Sequence, residues 1–426
     1  MASSTSASVK TEHNTLIRNV LNEHFGREVL NITPCAGSSN NSTVYILVLG
    51  PARDDTAATG VQNTPRRPGT EPLPGDATKA VIRLTNPGSN LNDAVTVQSQ
   101  VAVAVLLRAA LKPTRPDEPS LVPRVYGWQP AADGGGQQQP LGWIVEECMP
   151  GVQLDDTAFD ALPDAAKNGI VDQVAGLFGR IQQYQLPASI VGYGGLDFAA
   201  TDGRIVTGPT PIYGATKACA TYHELYTEYL QTQLAFMDKV DIVQGWRDDP
   251  TLRTRIDDFV AHGFQSVLAR AAEPHPRQTL VHGDFDLHNV LVDPQTHRIT
   301  ALPDFQFGHV AAAADEYFYS FARLGALLPP RRLLHGFTTP AGGTPTTGNE
   351  DDDTAAAAFN LAQAQRTDEA FARIDLLSQL FWFVQNLSPG LFFLPRVRAK
   401  LGPERAAAIK TSTAESLSAT LREWGF

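Results

Sequence analysis

The sequence predicts an α+β protein of two unequal lobes: a small N-terminal lobe built on an antiparallel sheet plus one helix, then a larger, mostly helical lobe. Three observations predict it. Between residues 11 and 148, short β-branched and aromatic runs alternate with turns, and one long helical stretch lies among them. From Thr157 onward, apolar residues recur at helical spacing instead. At 426 residues, the chain is long enough for two or three packed lobes.

Residues 11–26 place Leu16, Val20 and Leu21 on one helical face and stop at Gly26. LNITPC (30–35) and STVYILVL (42–49) read as strands joined by the turn GSSNNST. Residues 50–78 turn rich in Pro, Gly and Thr without periodicity, so they are expected to be a disordered insert, as residues 1–10 are. KAVIRLTNP (79–87) is a further strand. A helix over 93–111 follows, with Val97, Val101, Val105 and Leu106 on one face. VPRVYGWQP and LGWIVEECMPG add two strands and close the first lobe near residue 148.

The second lobe, 149–426, is expected to hold helices at about 164–185, 216–238, 250–271, 366–389 and 403–423. GYGGLDF (192–198) interrupts them, and its Gly194-Gly195 pair suits a tight turn. Residues 338–358 are of low complexity and read as an insert, with the run Glu350–Asp353 as a solvated loop. The stripe Phe371, Leu380, Phe381 and Phe383 is assigned to core packing.

Composition narrows the function classes. The 45 acidic residues outnumber the 34 basic ones, giving a net charge of −11. A nucleic-acid or anionic-membrane partner needs clustered Lys and Arg, so neither is expected. The start MASSTSASVKTEHN lacks the apolar core of a secretory signal, and no apolar run reaches the ~18–20 residues of a membrane span. Cys35, Cys148 and Cys219 form no C-x-x-C pair, so a reducing, cytoplasmic setting is expected. Oligomeric state is not legible in the sequence.

The chemistry concentrates in His282-Gly-Asp284-Phe-Asp286-Leu-His288-Asn289, followed by Asp304-Phe305. Phosphoryl transfer needs one carboxylate to take or orient the proton of the attacking hydroxyl, and other oxygen ligands to hold Mg²⁺ against nucleotide phosphates. An Asp and an Asn five positions apart, then an Asp after the hairpin NVLV…ITAL, provide that set at protein-kinase spacing.

This pattern, H-G-D-x-x-x-x-N-x-L-x-D and then D-F, resembles the aminoglycoside phosphotransferase and choline kinase superfamily, and within it the fungal-type branch. AVIRLTNP, VEECMPG, YGGLDF and ADEYFYSF look like further blocks of the family. The resemblance implies a bilobal kinase-like fold, ATP and Mg²⁺ as cofactors, and a small-molecule acceptor bearing a hydroxyl, such as a specialised metabolite. It implies Asp284 as catalytic base, His282 as brace of the catalytic loop, and Asn289 and Asp304 as metal ligands. Asp315 would steady that loop rather than react. For the nucleotide, it implies Arg83 at the phosphates, Val81 over the adenine, and the Ser38, Ser39 and Asn40 turn above the phosphates. The stretch Glu146–Gly151 resembles the hinge, with Glu147 and Met149 bonding the base.

The chain departs from the family in three places. Gln100 stands on the helix where a Glu would pair with Arg83, and a neutral amide cannot neutralise it. Pro303 precedes Asp304, and Gln306 replaces an acid two positions after it. Rival readings follow: a catalytically weak or inactive kinase-fold binding protein, or a nucleotidyl transferase on the same fold. His282, Asp284 and His288 would also suit a metallohydrolase, although no second cluster accompanies them. His309 and His335 read as loop residues. Asp286 and Asp293 read as turn or cap groups.

Overall fold

The computed structural model describes residues 2–35, 41–52, 66–86, 92–115, 118–131, 140–211, 215–320, 374–392, 398 and 401–426. The expected insert 338–358, the turn residues Ser38, Ser39 and Asn40, and Phe371, His335 and Glu350–Asp353 lie outside them.

The first lobe is a five-stranded sheet whose neighbours all run antiparallel, in the order β1-β2-β3-β5-β4. Its strands are β1 (Arg27–Pro34), β2 (Ser42–Ala52), β3 (Lys79–Thr85), β4 (Val125–Gln129) and β5 (Trp143–Glu147). Strand alternation decides which residues face where. Ala80, Ile82 and Leu84 pack with Tyr45, Leu47 and Val145 on one face, under helix α1 (Ala2–Phe25). Val81 and Arg83 are on the other, toward the second lobe.

Parts of two segments expected to be disordered are built into this lobe, while residue 1 and residues 53–65 lie outside the described residues. Helix α1 starts at Ala2, well before residue 11. Of residues 50–78, Gly50–Ala52 extend β2, and 66–78 lie as a strap along the sheet edge. Buried Arg27 bonds the carbonyls of Gly50, Pro74 and Ala77. Trp128 Nε1 donates to Pro68 O, the Arg67 guanidinium sits 4.7 Å from the Trp128 ring centroid, and Glu71 N donates to Val125 O. Backbone bonds and one cation–π contact thus supply what the apolar side chains of the strap cannot.

Helix α2 (Asp93–Ala110) is buried nearly all round: Val97, Val101, Ala102, Val103, Ala104, Leu106 and Leu107 are each at most 2 % exposed. The reason is its place between the sheet and the second lobe, whose single core it joins.

The second lobe begins with the short β6 (Val152–Gln153), α3 (Asp156–Asp160) and α4 (Asp164–Gln183). A hairpin follows, β7 (Gly195–Phe198) with β8 (Ile205–Gly208), where the sequence indicates only a turn. Helix α5 (Tyr222–Met237) starts six residues later than expected, at a capping box of Thr221 and Glu224. Helices α6 (Pro250–Asp258) and α7 (Phe264–Ala271) join through one wider helical turn at Phe259–Gly263. Strands β9 (Thr279–Val281), β10 (Leu291–Val292), β11 (Ile299–Ala301) and β12 (His309–Ala311) carry the motif residues, and α8 (Ala313–Tyr319) follows. Helices α9 (Ile374–Leu387) and α10 (Pro403–Trp424) complete the described chain. Leu380, Phe381 and Phe383 are core, as expected.

Candidate active site

Strand β9 is buried at all three residues and pairs with β12, so the chain enters the loop 282–289 from a fixed base. Gly283 has φ +78°, and a Cβ there would lie 2.6 Å from Phe307 O, so the tight turn needs glycine. His282 is fully buried, stacked on Phe285 and edge-on to Phe305. Burial pushes its pKa down to about 4. The ring is therefore neutral at physiological pH, and its Nδ1 accepts the Asp284 N–H at 3.3 Å.

Asp286 caps the short turn Leu287–Asn289 through the Leu287 N–H, which carries Asn289 back toward Asp284. Asn289 Nδ2 donates to Asp284 O at 2.7 Å and to Oδ2 at 2.8 Å. With the amide nitrogen so engaged, Oδ1 of Asn289 is the end left to meet a cation. His288 Nε2 lies 3.4 Å from the Asp284 carboxylate, a bond that raises the imidazole pKa.

Asp304 follows β11 through Leu302, whose N–H bonds Leu121 O, and Pro303. Its backbone is left-handed, φ +68°, a conformation that costs about 1–2 kcal/mol for a residue with a Cβ. Oδ2 stands 3.5 Å from Arg83 Nη1, an ion pair that crosses from one lobe to the other. Oδ1 is buried with no hydrogen-bond partner among the described residues, while the Gln306 N–H acts on the carboxylate. Burial pushes the Asp304 carboxyl up; Arg83 opposes this, and the charge of Asp284 adds to it. Two carboxylates that repel, one buried oxygen atom without a partner and an amide oxygen fit a divalent cation. No group of three His, Cys, Asp or Glu among the described residues could hold a metal alone. Such an ion would therefore share its shell with ligand oxygens.

Above the gap, Arg83 and Val81 lie as the strand alternation requires. The carboxylate partner of Arg83, however, is Glu146 on β5, with Nε to Oε1 at 2.7 Å. Gln100, buried on α2, is not a partner. Burial works to lower the Arg83 pKa, but Glu146 and Asp304 outweigh it and the guanidinium stays charged. Glu147, expected at the base, is also engaged within the sheet. Its N–H donates to Arg124 O and its side chain accepts from Arg124 N, so it faces the sheet edge. Cys148 and half-buried Met149, past the end of β5, are outside the ladder.

The brace beneath the loop is the residue that the sequence reading misses. Glu316 is 1 % exposed and accepts from His282 N at 2.6 Å and Gly283 N at 3.1 Å. Ser320 Oγ donates to Glu316 and accepts from Phe285 N. Asp315, the expected brace, turns away and accepts from the hydroxyls of Tyr222 and Tyr226. The signal was one position off: on a helix, adjacent residues point about 100° apart. Burial pushes both carboxyls up to about 7. His309, expected in a loop, sits buried on β12. Asp293 holds its turn through the N–H groups of Gln295 and Thr296.

The profile of the phosphotransferase enzyme family matches residues 73–334, more than half of the chain and including the whole of this gap. The chain belongs to that family. No curated protein matches it in sequence. Among solved structures, the APH(2")-IIa complex with gentamicin shares 11 % identity at a TM-score of 0.50, covering 94 % of this chain and 97 % of that one. A Ralstonia eutropha JMP134 structure, provisionally described as an aminoglycoside phosphotransferase, shares 13 % at 0.50, covering 96 % and 98 %. At such identities the likeness fixes the fold, which is bilobal and protein-kinase-like. No helix among the described residues is long and apolar enough to cross a membrane.

Proposed function

We propose that this chain transfers the γ-phosphoryl group of ATP, with Mg²⁺, to a hydroxyl of a small molecule. The observation that carries the reading is a chain of contacts between the lobes: Asn289 bonds Asp284, Arg83 pairs with Asp304, and the two carboxylates repel each other. Family membership supports a phosphotransferase.

In this reading Asp284 takes the proton of the acceptor hydroxyl as its oxygen attacks the phosphorus, and ADP leaves with the bridging electrons. Asn289 keeps the Asp284 carboxylate oriented by its two N–H bonds. Asp304 Oδ1 and Asn289 Oδ1 would hold the cation, which when bound offsets the phosphate charge. Arg83 adds a second positive group that needs no metal. His282 and Glu316 hold the loop backbone still, so little reorganisation is left for the reacting step. The nucleotide base would lie against Val81 and the backbone of Cys148 and Met149.

The test is product mass from an acceptor screen with ATP. A product heavier by one phosphate group supports the reading; one heavier by AMP indicates nucleotidyl transfer. No ATP turnover with any acceptor, despite nucleotide binding, indicates a binding protein.

A further inference from the structure

We infer that Glu146 is the positioning residue for Arg83, so that the phosphate grip is built within the β-sheet and does not depend on helix α2. The inference rests on the proposed function and adds a residue that neither the motif nor the family resemblance assigns to it.

Register makes the pair. Arg83 lies opposite Ile144 and Val81 opposite Glu146, so these four side chains share one face of the antiparallel pair. Arg83 and Glu146 are diagonal neighbours, about 7–8 Å apart at the backbone, within reach of two long side chains. Their side chains are only 9 % and 7 % exposed. A guanidinium so buried needs a carboxylate beside it. Helix α2 has none to give: its one acid is Asp93, at its first residue.

Asp304 also touches Arg83, but more loosely, at 3.5 Å, and Asp304 is the oxygen donor that a cation would claim. Glu146 has no such second duty. It engages Nε and leaves the Nη edge turned toward Asp304, the side on which phosphate charge would sit. Its grip also fixes the plane of the fork, which a lysine ammonium would lack. Without Glu146, Arg83 has Asp304 as its remaining carboxylate, and would compete there with the cation. Helix α2, packed on the second lobe through Ser99 Oγ and Leu196 N, is relieved of the role.

Isothermal titration with AMP-PNP plus Mg²⁺, and separately with adenosine, tests this on the wild type, E146Q, E146M, R83M and R83M/E146M. Thermal unfolding checks each fold, and the double variant replaces the buried pair with apolar groups, a change that proteins commonly tolerate. E146Q should weaken AMP-PNP about tenfold and leave adenosine within about twofold. The double variant should bind AMP-PNP no worse than the poorer single variant. Equal losses for adenosine and AMP-PNP, additive losses in the double variant, or unchanged AMP-PNP binding in E146Q would each overturn the inference alone. A wild type that binds neither ligand would overturn the functional reading as well.

Discussion

Asn289 clasps Asp284 twice, through the carbonyl at 2.7 Å and the carboxylate Oδ2 at 2.8 Å, closing a ring across the loop. The carboxylate proposed to take the proton is therefore held by the same side chain whose other end is proposed to hold the cation. Binding a cation at Asn289 Oδ1 would polarise the amide and strengthen both N–H bonds. In the proposed function, proton acceptance and metal binding would be coupled through one amide group.

That coupling makes Asn289→Ala costly to activity and cheap in stability. We expect kcat to fall about a hundredfold while the thermal midpoint stays within a few degrees. Steady-state kinetics beside a melting curve checks it. A KM rise at unchanged kcat would mean that Asn289 serves binding only.

Glu316→Ala should cost stability instead. It leaves the buried N–H groups of His282 and Gly283 without an acceptor, for roughly 2–5 kcal/mol. Urea unfolding measures this, and a loss below the error of the method would show that the brace carries no load.

Asp315 gives a pH signature. Its carboxyl is pushed up to about 7 by burial from an ordinary value of 3.8. Between those values the folded chain binds more protons there than the unfolded chain, so this group's contribution is full below pH 4 and is lost as pH rises to about 7. Buried His282 and His309, pushed down to about 4, oppose it below pH 6.5. The clean comparison is therefore with Asp315→Asn, which should gain thermal stability relative to the wild type as pH rises from 4 to 7. A difference that does not change with pH would refute the assignment.

Cys148 reports on the hinge. It is half-buried beside the proposed base site, and burial pushes its thiol up. AMP-PNP should slow its alkylation by a maleimide, read by peptide mass mapping, while buried Cys219 stays unlabelled throughout. Equal labelling of Cys148 with and without nucleotide would place the base elsewhere.

The sequence announces the site where chemistry needs fixed spacing along one segment. Asp284 and Asn289 sit on one loop and Asp304 ends the next hairpin, so local spacing sufficed, and strand alternation placed Arg83 and Val81. The partners of these groups were hidden because they come from across the fold. Glu146 reaches Arg83 only through the β3–β5 register, and Glu316 reaches the loop from a helix more than thirty residues on. The strap at 66–78 looked featureless because its order comes largely from bonds to Arg27 and Trp128, with Leu73 packed against the sheet core. Glu147 adjoins the hinge in sequence, and spacing alone does not show that its N–H bonds Arg124 O.

The most direct measurement is rapid-quench phosphoryl transfer with Asp284→Ala, in an acceptor reaction established for the wild type, with AMP-PNP affinity measured in parallel. The account predicts nucleotide binding within about threefold of wild type and transfer slower by about two to four orders of magnitude. Transfer at the wild-type rate would contradict it.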